Sequence, residues 1–197
     1  MFTQEEGENA VKIARQTIES HVSDKETPEF DFPEKFEKEM GVFVTINKYP
    51  SENLRGCIGY PEPIFKLKEA LTRASVSATN DPRFSPLGED ELDDIIIEVT
   101  LMTPPVEIKC SPEELPNKIT VGRDGLIIKK GPFSGLLLPQ VPVEYGWDEE
   151  EFLGHTCMKA GLDTSQWKKE GCEVLKFQGE IFKEKEPHGE IVRKEIA

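Results

Sequence analysis

Val42-Phe43-Val44-Thr45-Ile46-Asn47, followed after a short break by Leu54-Arg55-Gly56-Cys57-Ile58-Gly59-Tyr60, is the stretch that sets the architecture. In its first part Val42, Val44 and Ile46 alternate with Phe43, Thr45 and Asn47, the period-two pattern of a half-buried strand. Pro50-Ser51-Glu52-Asn53 supplies a turn, so the two runs read as an antiparallel hairpin. Strict alternation in the second strand places Leu54, Gly56 and Ile58 on one face, and Arg55, Cys57 and Gly59 on the other. A guanidinium beside a thiol on one face predicts a lowered thiol pKa and a nucleophilic thiolate, with Gly59 leaving room for a ligand. The same residues also suit plain packing, because free cysteine is among the most buried residue types. Against packing alone stand the two glycines, since glycine inside a strand marks a bulge or a close approach of backbone or ligand.

On the N-terminal side, Thr3 and Glu6 form a capping-box signal, and Val11, Ala14, Ile18 and Val22 recur at helical spacing, predicting a helix over 4–22. Residues 23–38 are charged and carry two prolines, which suits a surface connection. After the hairpin, Pro61 and Pro63 open a second helix with the stripe Ile64, Leu67, Leu71, Ala74 and Ala78. Asp81-Pro82 ends it, leaving Asp81 and Arg83 on a loop. A third strand follows at 95–101 and a short fourth at 106–109. The prolines within 111–117 mark entry into an inserted unit, expected to hold a meander of strands at 119–121, 125–130 and 135–138. Asp148 with Glu151 starts a further helix, stopped by Gly161. A last strand at 173–183 returns to the first sheet, and the charged tail after Lys183 is expected to be mobile. The resulting fold class is α+β, with a larger domain from residues 1–109 and 172–197 and a smaller one from 110–171.

With 197 residues, 37% hydrophobic and 31% charged, the chain has the composition of a globular protein with a sizeable core. No apolar run approaches the length of a membrane span. The acidic start Met1-Phe2-Thr3-Gln4-Glu5-Glu6 lacks the basic and apolar regions of a secretory signal, so a cytoplasmic location is expected. A formal net charge of −14 argues against nucleic acid as a partner. Cys57, Cys110, Cys157 and Cys172 show no zinc-like spacing, His21, His155 and His188 are scattered, and no metal site is predicted.

Leu54 to Gly59 reproduces the LRGCIG signature of the AMMECR-one family, which this chain resembles. Three further blocks resemble that family in matching order: Asp81-Pro82-Arg83-Phe84 with Pro86, Leu138-Pro139-Gln140-Val141 with Gly146-Trp147-Asp148, and Lys159-Ala160-Gly161-Leu162 with Trp167. Together they cover roughly residues 40 to 184 and look like an archaeal or bacterial member. The resemblance implies a larger α+β domain built from both chain ends, a smaller inserted α+β domain with its own antiparallel sheet, and LRGCIG side chains pointing to a groove between them. It brings no established reaction and no identified cofactor. It does imply company with Memo-like and radical-SAM proteins in an unidentified pathway.

Two uses of the site follow. As an enzyme, Cys57 is the nucleophile or covalent anchor, Asp81 orients a base or substrate hydroxyl, and Arg55 and Arg83 stabilise an anion. No motif places a histidine to activate Cys57, so its thiolate depends on local charge. As a binding module, the same groove holds a small anionic ligand, a peptide, a nucleotide or a partner protein, and no bond is made or broken. In both, Arg55, Gly56, Gly59, Arg83 and Phe84 form the binding surface.

Overall fold

In the computed structural model, which describes residues 1–194, the elements in chain order are α1 (Gln4–Val22), β1 (Val42–Lys48), β2 (Leu54–Tyr60), α2 (Leu67–Ala78) and β3 (Ile95–Met102). There follow β4 (Val106–Glu107), β5 (Asp124–Lys130), β6 (Phe133–Leu137), α3 (Gln140–Tyr145), α4 (Glu149–Lys159), β7 (Glu173–Glu184) and β8 (Ile191–Lys194). They divide into two units, Met1–Met102 with Glu180–Lys194, and Thr103–Gly179. The fold class is α+β.

In the first unit β1 pairs antiparallel with β2 on one side and β3 on the other, Val44 facing Ile58 and Val99. The alternation seen in the sequence decides which face is buried. Val42, Val44 and Ile46, with Ile97, Val99 and Leu101, are fully enclosed with Val11, Ala14 and Ile18 of α1 and Leu67, Leu71 and Ala74 of α2. The Thr3 capping box starts α1 as its sequence predicts. β2 is the outer strand, and a bulge interrupts its pairing. Ile46 lies opposite Gly56 but Asn47 lies opposite Leu54, so Arg55 is the extra residue.

The second unit has its own antiparallel order β6-β5-β7-β4, with Leu126 facing Leu137 and Lys176, and Val106 facing Lys176 from the other side. Leu126, Ile128, Phe152, Leu153, Trp167 and Val174 form its core. Asp148 caps α4, its carboxylate accepting from the Glu151 backbone N–H at 2.9 Å.

Several expectations are corrected. The unit boundaries fall at 102/103 and within β7 at 179/180, because residues 173–178 pair with β5 and residues 106–107 pair with 175–176. Thus 103–109 and 172–179 join the second unit. The second helix starts at Leu67, leaving Ile64 60% exposed and outside its apolar stripe. The meander has two strands, since residues 119–121 lead into a turn in which the Asp124 N–H donates to the Thr120 carbonyl. The tail beyond Lys183 is ordered through Lys194, where β8 pairs with β7. Residues 195–197 of that predicted tail lie outside the described residues.

Candidate functional site

The site is built around the outer edge of β2. An outer strand presents backbone N–H and C=O groups with no neighbouring strand to take them. At Cys57 both are taken by one turn. The Asp81 carboxylate accepts the Cys57 N–H at 2.9 Å, and Arg83 Nη2 donates to the Cys57 carbonyl at 3.3 Å.

Local sequence dictates that turn. Pro82 occupies the position where a fixed φ favours a turn, and the Phe84 N–H donates to the Asp81 carbonyl at 2.9 Å. Asp81 Oδ1 accepts from its own turn at the Arg83 N–H, 3.0 Å, and from Arg83 Nε, 3.0 Å, while Oδ2 accepts from Arg83 Nη2 at 2.6 Å. Gly56 brings the turn to the strand: a Cβ there would meet the Ala78 carbonyl oxygen at 2.3 Å, so only glycine lets the end of α2 approach this closely. Gly59 has a different use. A Cβ there would meet the Phe43 ring at 2.3 Å and the Val42 carbonyl at 2.4 Å, so the space expected for a ligand is filled by Phe43, its cross-strand partner.

Arg55 anchors the segment after the turn. Its Nε and Nη2 donate to the two oxygens of Glu91 at 2.8 and 2.7 Å, Nη1 to the Ser85 carbonyl at 2.9 Å, and Nη2 to the Pro86 carbonyl at 3.2 Å. Glu91 Oε1 also accepts from the Gly88 N–H at 3.1 Å. The Arg55 hydrogen bonds are the leading cause that holds this carboxyl at about 2 against an ordinary 4.5, helped against partial burial by the Gly88 N–H and by the Arg55 and Lys48 charges. The Phe84 ring lies near both guanidinium groups, 6.0 Å from Arg55 and 5.7 Å from Arg83.

The expected pairing of Arg55 with Cys57 is not found. The bulge breaks the alternation that put them on one face, and Arg55 turns its charge to Glu91. Burial pushes the Cys57 thiol above its ordinary 9.0, only partly offset by hydrogen bonding with Thr45 and by the Arg83 charge, while Glu98 and Asp81 push it further up. Thr45 Oγ1 lies 3.2 Å from Sγ. Asp81 is held well below the usual carboxylate range, first by its hydrogen bonds with Arg83, against a burial that acts the other way. With four donors on its two oxygens it has no acceptor site left for a substrate proton. Arg83 is 56% exposed, and Arg73 is exposed over the Phe65 ring.

The fold therefore brings Cys57, Asp81, Arg83 and Phe84 together, with Arg55 and Gly56 behind them. Sequence reading missed Thr45, Ser85, Pro86 and Glu91. For Glu91 a signal existed, since it stands three residues after Gly88 at capping-box spacing. Thr45 was readable as the cross-strand partner of Cys57 once the hairpin register was drawn.

The AMMECR1 family model matches residues 11–182. Among curated proteins, the chain is similar to Protein MJ0810 of Methanocaldococcus jannaschii, 50% identical over 100% of this chain and 98% of that protein. A Thermococcus onnurineus protein is 54% identical over 96% of each chain. Among solved structures it is similar to the crystal structure of the uncharacterized protein PH0010 from Pyrococcus horikoshii, with TM-score 0.86, 50% identity and 98% of each chain covered. The signature strand, the Asp81 turn and these matches agree: the chain belongs to the AMMECR1 family.

Proposed function

We propose that the outer edge of β2 with the Asp81–Phe84 turn is a cytoplasmic binding surface for a small anionic group, at which no bond is made or broken. The observation that carries this reading is the setting of Cys57, whose Sγ lies 3.2 Å from the Thr45 hydroxyl and whose thiol is pushed up by burial, with Glu98 and Asp81 acting the same way against Thr45 and Arg83. Asp81 has no acceptor left for catalysis, and Arg55 has committed four of its five N–H donors to Glu91, Ser85 and Pro86. The exposed Arg83 guanidinium beside Phe84 is what remains for a ligand, and a carboxylate or phosphate is the group it would recognise. Partnership with Memo-like or radical-SAM proteins, implied by the family resemblance, belongs to the same proposal and needs no chemistry at Cys57.

The test is a two-dimensional NMR titration with inorganic phosphate and, separately, acetate. Saturable shifts centred on Cys57, Arg83 and Phe84, lost in Arg83→Gln and retained in Cys57→Ser, are expected. Shifts lost in Cys57→Ser but retained in Arg83→Gln, or a covalent adduct on Cys57 formed from a metabolite extract, would contradict the reading and restore the enzyme alternative.

A further inference from the structure

Cys110 and Cys172 serve no part of the site on β2, yet in the second unit both line one cavity and pack on one core. β4 and β7 run antiparallel with Val106 opposite Lys176 and Glu107 opposite Leu175. The next step holds too, because the Ile108 N–H donates to the Val174 carbonyl at 2.9 Å. An ion pair between Lys109 and Glu107, 3.3 Å, fits an extended chain through residue 109, with both side chains on one face. Counted two residues further, past the last ladder bond and to the bend at Cys110, the same register matches Cys110 with Cys172. Alternation agrees, since Ile108 and Cys110 from one strand, and Val174 and Cys172 from the other, all pack on the same core. Both cysteines line one cavity of about 340 Å³, and both are half-buried free thiols.

We propose that Cys110 and Cys172 are a redox pair, a reversible disulfide that clasps the two ends of the second unit. Closing the bond extends the antiparallel register to this pair, and opposed residues in such a register have Cα atoms about 4.5–5.5 Å apart, inside the range a disulfide spans. The backbone can yield here, because the Cys172 N–H donates to the Lys169 carbonyl and is not held in the ladder with β4. Cys157 is fully buried in the same core, which closes it to a reagent.

Formation by thiol–disulfide exchange balances with a low-molecular-weight disulfide as oxidant. One cysteine, as thiolate, attacks a sulfur of the small disulfide, giving a mixed disulfide and releasing one small thiol. The second cysteine then attacks the protein sulfur of that mixed disulfide and releases the other. Two protein thiols lose two electrons and two protons, and the small disulfide becomes two thiols.

Folded protein treated with oxidised glutathione at pH 8 and mapped without reduction tests this. The expected product is a linked peptide pair joining Cys110 to Cys172, reversed by dithiothreitol, with a melting temperature raised by roughly 5 °C or more. Cys110→Ser, a near-isosteric change, should instead hold a persistent glutathione adduct on Cys172. A wild-type protein that keeps glutathione adducts without a link, links either residue to Cys57 or Cys157, or fails to react at all while folded would overturn the proposal.

Discussion

At the residue scale, the six-residue signature divides between residues that shape the strand and those whose polar groups are held by neighbouring segments. Gly56 and Gly59 belong to the first group, since each is closely approached, by the Ala78 carbonyl and by the Phe43 ring. Gly56→Ala should lower unfolding stability by about 2 kcal/mol, because the atom it meets is backbone and cannot swing away. Urea denaturation measures this, and a neutral result would show that α2 can retreat. That an arginine lies beside Cys57 was legible in the sequence. Which arginine was not, since a one-residue bulge at Arg55 leaves no local mark and reverses which side chains share a face. Arg83, distant in sequence, takes the position that alternation assigned to Arg55.

At the element scale, the turn from Asp81 to Phe84 stands in for a missing strand, and Arg55 with Glu91 fastens the chain that follows. Removing one partner of such a poorly exposed pair strands the other. Arg55→Met is therefore expected to cost about 3 kcal/mol, reduced somewhat because Glu91 is partly open to solvent. The pH dependence follows from the carboxyl. Its pKa is lower in the folded protein, so its contribution is full above the ordinary 4.5 and is lost as the pH falls towards about 2. Asp81 acts in the same direction below its ordinary 3.8. Denaturation series at pH 7, 4 and 3 should show wild type losing stability steeply across this window. Glu91→Gln should begin less stable at pH 7 and decline less. Equal declines in the two proteins would remove the clamp from the account. The helix start at Thr3, the cap at Asp148 and strand β2 were readable because each signal is local. Strand β8 was missed because two apolar residues, Ile191 and Val192, stand in a charged tail and gain their place only by pairing with β7.

At the scale of the whole molecule, the α+β class was legible from the alternation of helical and strand periods, whereas the boundary between units was not. β7 reads as one strand, and only its partners reveal that its first part belongs with β5 and its last part with the N-terminal unit. The same long-range dependence hides Arg15, which looks like a helix-surface charge. It is buried against Glu184, donates from Nε at 3.0 Å, and binds the Leu92 and Ile95 carbonyls at 3.0 and 2.7 Å. Arg15→Ala should destabilise the first unit by roughly 3–5 kcal/mol, since it leaves a carboxylate enclosed without its partner; calorimetry would detect this, and a change under 1 kcal/mol would mean that water reaches Glu184. The central claim remains that Cys57 stands in this molecule as a protonated thiol on a binding surface. It is tested most directly by the rate of iodoacetamide alkylation at Cys57 against pH in the folded protein. The account predicts a half-rise above the ordinary 9.0, raised further by Arg83→Gln and unmoved by Arg55→Met. A half-rise below about pH 8 that climbs when Arg55 is replaced would contradict it.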